Sequence, residues 1–154
     1  MKNVQQAVSW YAAVSLALWV TVGTAYGHVT VQPKQSAPGT SVRYTMKVPT
    51  EKFTPTVRVE VEFPAALTVT SLDPKPQWKV EEKKDSSGKL IGMTLTGSIP
   101  TGESSEFNFT ARNPSQESKL IWRVIQIYED GSKSEWTGAE GTRTPAPVVE
   151  VKNQ

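Results

Sequence analysis

Hydrophobic and polar residues alternate in short runs along most of this chain. Val57, Val59, Val61 and Phe63 are interleaved with Arg58, Glu60 and Glu62, a period of two that gives a strand one apolar and one wet face. Similar runs, rich in β-branched and aromatic residues, recur at intervals of about ten, and no segment carries a convincing 3.6-residue period. The pattern predicts strands at His28–Val31, Val42–Val48, Val57–Phe63, Leu67–Ser71, Trp78–Glu82, Leu90–Thr96, Phe107–Ala111, Leu120–Tyr128, Lys133–Trp136 and Val148–Val151. The segment Leu120–Tyr128 is apolar on both faces apart from Arg123 and Gln126, which predicts a central strand covered on both sides. Asp85-Ser-Ser-Gly88 and Glu129-Asp-Gly-Ser132 supply glycines for tight hairpins between the fifth and sixth and between the eighth and ninth strands. The 11 prolines fall in the gaps, where no ladder donor is lost. The expected fold is all-β, an antiparallel sandwich.

The first residues break this pattern. One cation, Lys2, precedes an apolar run from Ala7 to Val22 and then the small residues Gly23, Thr24, Ala25 and Gly27, the layout of a secretory signal peptide. Ala25 and Gly27 stand at −3 and −1 of a cut that removes residues 1–27 and leaves a domain of residues 28–154. A cut after Ala25 would instead leave Tyr26-Gly27-His28 at the new terminus, and an uncut apolar run would anchor the chain in a membrane. After the leader, no stretch is apolar for long enough to span a bilayer. The expectation is a soluble domain, exported to a periplasm or to the outside of the cell.

Charge and composition narrow the function. The chain carries 17 Lys+Arg against 15 Asp+Glu, a balance with no field to attract nucleic acid or anionic lipid. With no cysteine, disulfides, thiolate metal ligands and a cysteine nucleophile are excluded. A serine hydrolase needs an internal histidine as base, and the single histidine, His28, is predicted to be terminal. No glycine-rich loop leads from a strand into a helix to cradle phosphate. Carboxylates such as Asp73 with Glu81 or Glu82 have nothing in the sequence to set them across a cleft as a glycosidase pair. No catalytic residue is expected.

His28 itself points to a metal. Cleavage after Gly27 would put a free α-amino group and an imidazole on one residue, and two such nitrogens make a short chelate. The amine, with a pKa near ~7.7, loses its proton at low cost when a metal binds. Nitrogen and oxygen donors in a tetragonal arrangement suit Cu(II). Met46 and Met93 are isolated, so the thioether clusters that suit Cu(I) are missing. Trp78 and Trp122 lie within strand-like runs and read as core.

The segments His28-Val-Thr-Val-Gln-Pro33, Tyr44-Thr-Met-Lys-Val-Pro49, Asp73-Pro-Lys-Pro-Gln-Trp-Lys-Val80, Phe107-Asn-Phe-Thr-Ala-Arg-Asn-Pro114 and Asp130-Gly-Ser-Lys-Ser-Glu-Trp-Thr-Gly138 resemble the YcnI-like domain of bacterial copper-associated proteins, in order across nearly the whole region after the leader. The resemblance implies an immunoglobulin-like sandwich that binds Cu(II) through a monohistidine brace: the amine and ring nitrogen of the first residue, with a glutamate carboxylate and a nearby tryptophan. Carried onto this chain, it implies His28 as the brace, Asp73 as the carboxylate ahead of the Pro-x-Pro-x-Trp segment, and Trp136 as the tryptophan. Asp73 departs from the family's glutamate by one methylene, and Trp136 would stand beside the metal without donating to it, since a neutral indole is a poor donor.

The implied role is a copper carrier or receiver in copper homeostasis, with a membrane copper transporter or another copper carrier as partner. Two other readings compete. A copper redox enzyme would also begin with a histidine brace, but wants a second histidine that the chain lacks. A plain exported immunoglobulin-like interaction module would leave His28 incidental and take up no stoichiometric metal.

Overall fold

The alternation becomes a sandwich. The computed structural model describes residues 27–153; the expected leader, but for Gly27, lies outside the described residues. The strands are β1 (Thr30–Gln32), β2 (Gln35–Ser36), β3 (Ser41–Pro49), β4 (Thr56–Glu62), β5 (Thr68–Leu72), β6 (Lys79–Lys84), β7 (Leu90–Ile99), β8 (Ser104–Arg112), β9 (Ser118–Ile121), β10 (Arg123–Tyr128), β11 (Lys133–Trp136) and β12 (Val148–Val151). One layer has the order β1-β3-β8-β5, the facing layer β11-β10-β4-β7-β6, and a small sheet β2-β12-β9 joins them. Pairing is antiparallel except between β2 and β12.

The core lies between the inward faces. Tyr44, Met46 and Val48 of β3 and Phe107, Phe109 and Ala111 of β8 meet Val59 and Val61 of β4, Met93 and Leu95 of β7 and Val124 of β10. Tyr44 and Phe109 stack at 5.6 Å and each ring also meets Trp122. Burying side chains of this size is worth about 1.5–3 kcal/mol each relative to exposure, which is why the sandwich needs no covalent cross-link. The Tyr44 hydroxyl is not left bare: it donates to Asn113 Oδ1 at 2.6 Å and lies 3.0 Å from Ser36 Oγ. Burial pushes its pKa above the usual phenol range.

Both expected hairpins form. Gly88 and Gly131 take φ of 83° and 80°, the left-handed region open to glycine without strain. Asp85 Oδ1 and Asp130 Oδ1 each accept a backbone N–H two residues on, from Ser87 and Ser132.

Three expectations are corrected. Leu120–Tyr128 is two strands: β9 pairs with β12, Trp122 leaves the ladder, and β10 continues in the other layer. The expected cover on both sides is absent, since Ile125 and Ile127 are half-exposed while Gln126 points inward and is fully buried. Val57 is not a core residue either. A bulge between Thr56 and Arg58 breaks the register with both β7 and β10, so Thr56 takes the inward position in its place. Finally Trp122 is core at 0% exposed, whereas Trp78 is half-buried, edge-on to Phe107 at 4.8 Å. Its indole lies over Gly97, where a Cβ would come within 2.4 Å of the ring.

Candidate metal centre

The site forms where the edges of the two layers meet. β1 is the edge of one sheet and β11 the edge of the other, and the residues leading into β1 pass over the end of β11. There the exposed His28 ring lies 6.0 Å from the Trp136 ring, inclined by 58°. Trp136 is itself 5% exposed, packed inward at the last position of β11 opposite Val124. Its Nε1–H donates to Gln126 Oε1 at 3.0 Å, so that proton is taken up by a buried side chain.

The carboxylate at this edge is Glu51. β1 pairs with β3 so that Thr30 stands opposite Lys47, and two more residues in that register set His28 across from Pro49, with Glu51 just beyond. A Cβ built on Gly27 would lie 3.0 Å from Glu51 Oε1 and 3.2 Å from the Pro49 ring, so the carboxylate sits beside the Gly27–His28 junction. Desolvation raises the Glu51 pKa above the ordinary carboxylate range, against the opposing pull of His28 and Arg143. A carboxyl that holds its proton more tightly folded than unfolded costs stability at neutral pH, and that cost recedes as pH falls through the folded-state pKa.

The residue before Glu51 is tied to the neighbouring turn. Thr50 N donates to Glu103 O and Gly102 N donates to Thr50 O, pinning it to the β7–β8 turn. A groove of about 750 Å³ opens here, lined by His28, Pro49, Glu51, Phe53 and Glu103 among others, and the Phe53 side chain is fully exposed on its rim. A second groove of about 760 Å³ lies on the other side of His28, between Lys34, Ile121, Gly138 and Pro147. His28 and Thr30 line both grooves.

Of the sequence-predicted residues, His28 and Trp136 are brought together and Asp73 is not. Asp73 follows β5, the opposite edge of the sheet from β1, and its N–H donates to Asn108 O. Strand spacings of about 4.8 Å and rises of about 3.3 Å per residue put it about 20 Å from His28 along the sheet. Its carboxylate accepts both Arg43 Nη2–H at 2.6 Å and Nε–H at 3.1 Å, a largely exposed ion pair worth at most about 1 kcal/mol. Aspartate before proline is therefore a turn residue paired with a surface arginine. Glu51 stands two residues past the Tyr44–Pro49 segment, but its place near His28 is set by the β1–β3 register, which a linear motif does not carry.

His28 and Glu51 line the same groove, and an imidazole and a carboxylate are donor types that Cu(II) and Zn(II) accept. Among the described residues no group of three His, Cys, Asp or Glu side chains converges, so a metal held here needs a donor that is not a side chain. Also among the described residues, no helix is long and apolar enough to cross a membrane.

Comparison with known proteins agrees with this fold. Over 129 residues the chain is 38% identical to the copper-binding protein CutI of Bacillus subtilis (strain 168), an alignment covering 82% of this chain and 63% of that one. A crystal structure of an uncharacterised Nocardia farcinica protein with an immunoglobulin-like fold superposes with a TM-score of 0.70 at 24% identity, over 82% of this chain and 99% of that one. A cohesin module from a Clostridium perfringens family 33 glycoside hydrolase superposes at 0.54 and 16% identity, covering 82% and 96%. These two likenesses establish the sandwich as immunoglobulin-like. The model of the family described as domain of unknown function DUF1775 matches residues 28–151, and the chain therefore belongs to DUF1775, the YcnI-like family.

Proposed function

We propose that this protein is an exported Cu(II)-binding protein of copper homeostasis, acting in acquisition, carriage or delivery. The metal would be held by the α-amine and ring nitrogen of His28, with the Glu51 carboxylate as oxygen donor and Trp136 closing one side. The observation that carries the reading is the position of Glu51 beside the Gly27–His28 junction. Cleavage there would create an amine next to an imidazole and a carboxylate, the third donor that side chains alone do not supply. The copper-binding relative from Bacillus subtilis adds weight. Glu51 is also a glutamate, the residue type that the family resemblance implies for the oxygen donor.

The copper is cargo in this account. His28 is exposed and flanked by open grooves, so an incoming ligand can reach the metal, as transfer to a membrane copper transporter or another carrier requires. The signal-peptide reading of residues 1–27 would make the protein's location periplasmic or extracellular. A redox enzyme built on a histidine brace would call on a second imidazole, and the sequence has one histidine.

The test is a Cu(II) titration on protein beginning at His28, comparing Glu51→Gln with Asp73→Ala. Glu51→Gln keeps the shape but removes the anion, and should weaken binding by at least about tenfold, the lower end of what even changes outside the ligand set cost. Asp73→Ala should bind as the wild type does. The reverse ranking would hand the site back to Asp73, and equal affinities in all three would remove both carboxylates from it.

A further inference from the structure

Gln126 interrupts an apolar strand and is 0% exposed. An amide in such a place is costly unless its bonds are made, and here each polar atom is engaged. Oε1 accepts Trp136 Nε1–H at 3.0 Å, while Nε2 donates to Pro49 O at 2.7 Å and to Thr56 Oγ1 at 2.5 Å. Beyond it, Thr56 Oγ1 lies 2.7 Å from Thr50 Oγ1, and Thr50 Oγ1 donates to Ile99 O at 3.2 Å. Since the Thr50 proton goes to Ile99, the Thr56 hydroxyl must donate to Thr50. The hydrogen bonds then run one way, from Trp136 through Gln126, Thr56 and Thr50 to Ile99, an order in which each bond strengthens the next.

We propose that Gln126 is the positioning residue of the metal centre, a single amide that sets both of its walls. This inference rests on the copper reading above. Gln126 sits on β10 in one layer, Pro49 ends β3 in the other, and Trp136 closes β11. Through Oε1 the amide fixes the indole that faces His28; through Nε2 it fixes the carbonyl two residues ahead of Glu51. The β4 bulge belongs to the same device. By breaking register between Thr56 and Arg58 it turns the Thr56 hydroxyl inward to meet Nε2, as bulges beside functional sites re-aim side chains. A leucine would fill the space, but would leave the indole N–H and the Pro49 carbonyl without a partner.

The experiment is Cu(II) titration with electron paramagnetic resonance on protein beginning at His28, for the wild type, Gln126→Leu, Trp136→Phe, the double variant and His28→Ala. Gln126→Leu should lower affinity by about 10–100-fold, as loss of a group orienting the ligands does, and should change the copper hyperfine splitting. In the Trp136→Phe background the same substitution should cost measurably less, because the two residues act through one bond. A merely structural glutamine would lower the melting temperature and leave the hyperfine splitting and the coupling at their unperturbed values. Should Gln126→Leu fail to fold, Thr56→Val is the gentler cut in the same chain, expected to weaken binding by about threefold to tenfold, the worth of one hydrogen bond. Wild-type affinity and spectrum in the Gln126 or, in that event, Thr56 variant overturn the proposal. With His28→Ala unable to bind, that result overturns the role of Gln126 alone; with His28→Ala binding normally, the copper reading falls first and takes this one with it.

Discussion

His28→Ala, in protein beginning at that residue, is expected to lose Cu(II) binding by more than about hundredfold, beyond what changes outside the ligand set cost, while keeping its fold. The substitution removes the ring nitrogen, so the chelate formed by one residue is lost and only the amine and Glu51 remain. The fold should not notice, because His28 is exposed and precedes the first ladder pair, Thr30 with Lys47. Substitutions at such positions stay within about 0.5 kcal/mol. The check is a competition titration against a chelator of known affinity, with thermal melting of the metal-free protein as control. An affinity equal to the wild type would take His28 out of the site. A loss of binding with a collapsed melting transition would instead make the residue structural.

Trp122→Ala is expected to be the most damaging single change to stability. The indole is fully buried where the chain leaves the β9 ladder and enters β10 in the other layer, edge-on to Tyr44 at 5.8 Å and tilted against Phe109 at 6.4 Å. Truncating an aromatic in a packed core costs about 3–5 kcal/mol, a large share of the 5–15 kcal/mol that holds a typical domain together. For a domain of this size the melting temperature should fall by about 10–20 °C. Trp122→Phe should lose much less, because the indole N–H has no hydrogen-bond partner among the described residues and phenylalanine keeps most of the ring contact. A melting temperature within a few degrees of the wild type for Trp122→Ala would show that the crossover is held by something else.

The alternation in the sequence carried most of the architecture, because a period of two along Val57–Phe63 can only be a strand with one buried face, and Asp85–Gly88 and Glu129–Ser132 can only be tight turns. Where it misled, the cause was non-local. Nothing in Leu120–Tyr128 announces that the chain changes layers at Trp122; the switch is forced by β12 pairing with β9 and β4 pairing with β10. Val57 looked like core because a bulge leaves no mark on the count of alternating residues. The site was half legible. His28 stood out by its place at an expected cleavage site and Trp136 by its motif, and the structure sets them ring to ring. Asp73 lies far from His28 because proximity in sequence to a Pro-x-Pro-x-Trp segment says nothing about distance across four strands. Glu51 reaches His28 through the antiparallel β1–β3 pairing, and Gln126 reaches both walls of the site through the core. Gln126 was visible as a polar break in an apolar run, but the partners that explain it lie 70 and 77 residues away in sequence.

The most direct measurement is electron paramagnetic resonance during Cu(II) titration of two proteins, one beginning at His28 and one with a single extra residue ahead of it. The extension leaves every side chain in place and converts only the α-amine into an amide, which is no longer a free donor. The account predicts a nitrogen-ligated signal that saturates at one equivalent in the first protein and is lost or replaced by a weaker species in the second. The same signal at the same affinity in both would contradict a metal centre built on the freed amine of His28.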